Sequence, residues 1–291
     1  MRAGARVQAA SAGPVAPGPG AVRARADRPT VARMIRELWL LRHGESTANV
    51  AATAAEQAGS ETIDVEQRDA DVPLSERGLE QARAVAGWLG EHGLDASTVS
   101  AASPGADAGT SATSFWCSPY LRARQTIGTA LDEAGLAPVV RVDERLRDRE
   151  LGVLDLLTRR GVAARHPDEE ARRERLGKFY HRPPGGESWA DVALRVRSVL
   201  RDLDELPGDR VVVTAHDAVV MLFLSVCTGL SEADLLEFAR SNTVTNASVT
   251  RLSRADGDAW WTLDAFADVA HLDRGDAPVT THGGDRDVQP R

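Results

Sequence analysis

Two hydrophobic rhythms take turns along this chain. Short unbroken apolar runs, Leu38-Trp39-Leu40-Leu41 and Val211-Val212-Val213, have strand length and read as buried strands. Between them, apolar residues recur at three- and four-residue spacing. Over 75–91, Leu79, Ala82, Val85, Ala86 and Leu89 share one face, Ser75 is placed to cap it, and Gly93 lies beyond its end. Over 188–206, Val192, Val196, Val199, Leu200 and Leu203 form a stripe, with Ser188 as cap and Asp191 reciprocating.

The same reading predicts strands at 35–41, 114–117, 139–142 and 210–215, and an edge hairpin from 247–253 and 260–265. It predicts helices at 119–134, 219–228 and 231–240, the first two stopped by Gly135 and Gly229. Strand–helix alternation implies an α/β fold: a three-layer α/β/α sandwich with a mainly parallel central sheet.

Some stretches lack either rhythm. Residues 1–33 are dominated by Ala, Gly, Pro and Arg, with Asp27 the only acid, and read as a disordered extension; Met34, just before the first strand, is an alternative start. Residues 272–291 mix Asp, Gly, Thr and Arg without period and read as a second disordered tail, leaving one domain at 34–271. The Ser/Ala/Gly-rich 96–113 reads as a surface loop. The Arg- and Glu-rich 157–187 interrupts the alternation as an insertion. Arg172, Arg173, Arg175, Lys178 and His181 are its candidates for touching a distal group, unless it is only a solvated surface helix.

Composition narrows the class. At 291 residues and 42% hydrophobic content the chain can bury a full core. A formal charge of −8 argues against nucleic-acid or anionic-membrane partners, and no apolar run approaches a membrane span. Cys117 and Cys227, isolated among apolar residues, read as reduced, packed thiols in a cytoplasmic protein. No Cys or His pair stands at metal-ligand spacing, and nucleotide-binding glycine motifs are absent, so no metal or cofactor is expected.

The candidate chemistry sits at strand ends. Arg42-His43-Gly44-Glu45-Ser46 follows the first apolar run. A histidine attacks phosphorus only while neutral, and an adjacent guanidinium both helps keep it so and grips the anion. Ser118-Pro119 reads as a helix cap and first position, placing Arg122 in a first turn where free N–H groups favour phosphate. His216 ends the 210–215 strand. Two strand-end histidines and a helix-start arginine converge on one edge of a parallel sheet.

These motifs resemble the histidine phosphatase superfamily, also called phosphoglycerate mutase-like, from about residue 35 to 252. The match rests on Arg42-His43-Gly44, on Ser118 through Arg122-Ala123 to Gln125-Thr126, on Leu146-Arg147-Asp148 with Gly152, and on His216. The resemblance implies a phosphate pocket of Arg42, Arg122 and His216, with Asn49 as a further phosphate-binding donor, around His43 as nucleophile. It implies Asp148 as proton donor, a position that is usually glutamate, with Glu150 the runner-up. It places an active-site cap at the 157–187 insertion. Asp217 stands where the family usually has glycine; it must either point away from the anion or hold His216. Glu187 matches a motif whose role is orientation or helix capping.

The expected activity is metal-independent hydrolysis of a small phosphate monoester through a phosphohistidine on His43. A phosphoglycerate mutase and a non-catalytic phospho-ligand binder are the alternatives. Substrate identity and oligomeric state are not readable from these residues.

Overall fold

The computed structural model describes residues 35–95, 113–206 and 208–282. The 1–33 extension, most of the 96–113 loop and the end of the C-terminal tail lie outside the described residues. In chain order the elements are β1 (Glu37–Arg42), α1 (Thr47–Ala58), α2 (Glu76–Glu91), β2 (Thr113–Cys117), α3 (Leu121–Glu133) and β3 (Val140–Val142). Then come α4 (Arg159–Arg165), α5 (Pro167–Tyr180), α6 (Trp189–Asp204), β4 (Arg210–Ala215), α7 (Asp217–Thr228), α8 (Glu232–Ser241), β5 (Val249–Ser253), β6 (Thr262–Asp268) and α9 (Ala270–Arg274).

Among the described residues the six strands form one sheet in the order β3-β2-β4-β1-β5-β6. β1, β2, β3 and β4 run parallel, while β5 and β6 add the antiparallel edge hairpin. The fold class is therefore the expected one, α/β with a mainly parallel sheet.

Alternate residues of each strand feed opposite faces. Leu38, Leu40, Val211, Val213 and Ala215 pack with α6 and α7 through Val192, Val196, Val199, Val219 and Phe223. Trp39, Leu41, Phe115, Cys117 and Val212 pack with α2 and α3 through Val85, Trp88, Leu89, Ile127 and Leu131. A strand buried on both faces must be apolar at every position, which is why β1 and β4 read as unbroken runs.

The capping predictions for α2 and α6 hold: Ser75 accepts from Gly78 N–H, and Ser188 forms a reciprocal box with Asp191. Three readings change. Residues 47–58 form a helix that periodicity did not reveal, because its alanines and polar residues leave only Ala55 buried. α3 begins at Leu121 with Tyr120 as its cap, two residues later than the Ser118-Pro119 signature predicted. The chain beyond 271 is packed as far as 282: α9 runs to Arg274, and Leu272, Ala277, Thr280 and His282 are buried. Among the described residues no helix is long and apolar enough to cross a membrane.

The insertion forms α4 and α5. Within it Arg172 and the buried His181 both engage Glu169, and Lys178 lies over the Trp189 ring. Cys117 and Cys227 are buried free thiols, and burial pushes Cys117 up to about 12.

Candidate active site

β1 and β4 lie side by side with Arg42 opposite Ala215, so the next residue of each strand, His43 and His216, leaves the same sheet edge. Their rings meet edge to face at 5.1 Å between centroids. Ser118 leaves the neighbouring β2 at the same level, donating its N–H to Thr214 O (2.9 Å). The juxtaposition follows from strand order: three adjacent parallel strands present their C-terminal ends together.

The loop carrying His43 is held at almost every backbone group. His43 N–H donates to Ala215 O (3.0 Å), and His43 O accepts from Ala247 N–H (3.1 Å) and Asn246 Nδ2 (3.2 Å). Gly44 N–H donates to Thr126 Oγ1 (3.0 Å), and Glu45 N–H to Gln81 Oε1 (2.8 Å). Gly44 and Gly78 allow the loop to lie against the start of α2. A Cβ on Gly78 would sit 2.0 Å from Glu45 O, and one on Gly44 would sit 2.7 Å from Gly78 O.

Nδ1 of His43 is 2.7 Å from Gly44 O. A carbonyl only accepts, so Nδ1 carries the proton and Nε2 keeps its lone pair. Burial, reinforced by the charges of Arg122, His216 and Arg42, holds the imidazole well below its ordinary pKa, and therefore neutral at pH 7.

The other predicted residues surround it. Arg42 is buried and donates to Val244 O. Arg122, also buried, occupies the second position of α3, so the later helix start still leaves it in the first turn. Nε2 of His216 lies 2.8 Å from Ser118 Oγ, and Nδ1 lies 3.2 Å from Asp148 Oδ2 without a well-aligned hydrogen bond. Burial lowers the His216 pKa, against the opposing pull of Asp148. The aspartate reaches the pocket despite its shorter side chain. Its Oδ2 accepts from Arg122 Nη2 (2.9 Å) and its Oδ1 from Arg149 N–H (2.8 Å). Burial opposes its charge, but His216 and Arg122 outweigh that and hold the carboxyl well below its usual range.

Glu150 points elsewhere, accepting from Tyr120 Oη (2.9 Å). Asn49 closes the α1 cap through its Oδ1, which accepts from Ser46 N–H and Oγ and stands 3.4 Å from Asn246 Nδ2. Asp217 Oδ1 accepts from Ala218 N–H at the start of α7, where the helix dipole favours a negative charge.

Four contributors escaped sequence reading. Ser118, taken as a cap, braces His216 instead. The Tyr120 ring packs on His216 (5.2 Å) and lies under the Arg122 guanidinium. Arg195, on α6, donates to the carbonyls of Arg145, Arg147 and Asp148, and its Nε and Nη2 each donate to a Glu187 carboxylate oxygen at 2.9 Å. Glu187 thus orients the Asp148 segment through Arg195. Asp69, on a single 3-10 turn, pairs with Arg122 (Oδ1 to Nη1, 2.8 Å). Arg195 carried a faint signal as a charge beside the α6 apolar stripe; Asp69 carried none.

His43, Asp148 and His216 bring three possible metal-ligand atoms within 4.8 Å of one another, a grouping invisible in the linear spacing. The Arg122 guanidinium on the same Asp148 oxygen disfavours a dication there and suits the pocket to an anion.

Known proteins resemble this chain in sequence and fold. A Yersinia pestis protein named a probable phosphoglycerate mutase is 27% identical over 243 residues, spanning 81% of this chain and 95% of that protein. The solved mycobacterial hydrolase 1 is 30% identical with a TM-score of 0.58, across 81% of this chain and all of its own. A mycobacterial glucosyl-3-phosphoglycerate phosphatase solved with VO3 is 29% identical with a TM-score of 0.59, across 80% of this chain and 100% of that one. The family model for the histidine phosphatase superfamily (branch 1) matches residues 38–268, and the chain belongs to that superfamily.

Proposed function

We propose that this protein is a metal-independent phosphomonoesterase acting on a small phosphorylated substrate through a phosphohistidine on His43. The observation that carries the reading is the neutral His43, anchored through Nδ1, whose free Nε2 shares the pocket with Arg122, Arg42 and His216. Nε2 attacks phosphorus as the ester P–O bond breaks, and Asp148 delivers the proton to the departing oxygen. Water then attacks the phosphohistidine, Asp148 takes back a proton, and His43 is released. Arg42, Arg122 and His216, with Asn49 as a lesser donor, stabilise the equatorial oxygens.

Asp148 is ionised in the resting pocket, so it must gain a proton before it acts. A bound phosphoryl group supplies the condition. Its negative charge offsets that of Arg122, whose guanidinium on Oδ2 helps keep the carboxyl acidic, and the Asp148 pKa rises.

The likeness to a probable phosphoglycerate mutase favours one second reading, transfer of the phosphoryl group to another hydroxyl. Phosphate release from aryl and alkyl phosphates, measured beside interconversion of 3- and 2-phosphoglycerate, separates the two. His43→Ala should abolish either activity, and EDTA should leave it intact. Undiminished hydrolysis by His43→Ala, or loss with EDTA that added metal restores, would overturn the mechanism. Ester binding without turnover would replace the enzyme with a phospho-ligand binder.

A further inference from the structure

The phosphate-binding guanidinium is already occupied. Nη1 of Arg122 donates to the backbone O of Asp69 (2.6 Å) and to its Oδ1 (2.8 Å). Nη2 donates to Asp148 Oδ2 (2.9 Å) and lies 3.4 Å from Asp69 Oδ2. The four N–H bonds of the two terminal nitrogens therefore all face protein oxygens. A phosphoryl group can use this fork only by displacing one of the carboxylates.

The two carboxylates are not equally held. Asp148 is 23% exposed at its side chain, its Oδ1 is tied to Arg149 N–H, and Arg195 grips the carbonyls of its segment. Asp69 is 39% exposed, and the 3-10 turn that carries it buries none of its residues. A side-chain rotation takes the Asp69 carboxylate to water without disturbing the backbone contact to Arg122. Burial and the neighbouring charge of Asp148 also raise the Asp69 pKa, so its ionised form is the less comfortable of the two.

We propose that Asp69 is an internal competitor for phosphate: its carboxylate holds the Arg122 fork in the resting protein and swings out when a phosphoryl group enters, so that Asp69 sets the affinity for phosphorylated ligands. The inference rests on the reading that Arg122 receives the phosphoryl group. A dianionic phosphoryl group has the charge to win the exchange, and a monoanion bound at the same fork has less. Asp69 acts as a resident anion with no part in bond making.

Calorimetric titration with inorganic phosphate tests it in the wild-type chain and in Asp69→Ala, Asp69→Asn and Asp69→Glu. Removing a charge-assisted competitor should tighten phosphate binding on the order of ten-fold in Asp69→Ala. KM for an aryl phosphate should fall in parallel, and Asp69→Glu should return towards wild type. Asp69→Asn keeps the side-chain volume and serves if the alanine variant folds poorly; a thermal unfolding curve checks each. Equal or weaker phosphate binding by the folded Ala and Asn variants overturns the competitor role alone. Failure of every protein, wild type included, to bind phosphate overturns the phosphatase reading and the competitor with it.

Discussion

Oδ2 of Asp148 stands 3.2 Å from Nδ1 of His216 and 2.9 Å from Nη2 of Arg122, so one carboxylate oxygen serves two groups proposed to bind the phosphoryl group. If Asp148 is the proton donor, as proposed, this coupling ties its protonation to the ligand, since the Arg122 charge that helps keep it ionised is one the ligand offsets.

Removing the acid should therefore have a leaving-group signature. For Asp148→Asn, turnover of an alkyl phosphate is expected to fall about 100- to 1000-fold, the range of general-acid contributions. p-Nitrophenyl phosphate, whose leaving group departs without a proton, should lose far less. Steady-state kinetics on the two substrates checks this; equal losses would remove Asp148 from the proton-donor role.

Arg195 holds the Asp148 segment from behind, through three of its carbonyls and Glu187. Arg195→Met leaves Glu187 with Arg147 as its remaining cation and releases the segment. We expect a stability loss of about 3 kcal/mol, as for a broken buried pair, and a fall in alkyl-phosphate turnover of about 10-fold or more. Denaturant unfolding and kinetics on the same preparation read both. Lost stability with full activity would make Arg195 purely structural.

Gly78→Ala probes the contact between α2 and the nucleophile loop. The new methyl meets Glu45 O at 2.0 Å, backbone against backbone, so the loop or the helix must move. The expected cost is about 1–3 kcal/mol of overpacking, with activity lost beyond what unfolding explains. An active variant of unchanged melting temperature would contradict this packing.

Stability should fall in acid in two stages. His43, His181, His216 and His271 all have pKa values lowered by burial, so the folded protein keeps them neutral while the unfolded chain protonates near pH 6.5. The unfolded state then binds more protons, so the stabilisation is present above about pH 6.5 and lost as pH drops below it. A second loss follows below about pH 4. There the unfolded carboxyls protonate, while folded ones such as Asp148 and Asp191, the latter at about 2, stay ionised. Asp69, with its raised pKa, is an acid that works in the opposite sense. Melting temperatures from pH 8 to 3 test the profile; a midpoint that holds or rises between pH 7 and 5 would refute the first stage.

By itself the sequence determined the alternation of elements, the two-faced burial of β1 and β4, and the caps at Ser75 and Ser188. These depend on periodicity and on side chains bonding to their own local backbone. It also marked Arg42, His43, Arg122 and His216, because strand ends and a helix start are local signals; Asp148 was marked only by the family resemblance. It missed α1, which buries too little to show a period, and it misplaced Ser118, which gives up capping to brace a histidine 98 positions away. Only the tertiary structure decided which of Asp148 and Glu150 enters the pocket, that Asp69 shares Arg122, and that Arg195 carries the acid segment. Each of these pairs residues distant along the chain, and the partner is set by where the sheet and helices place it.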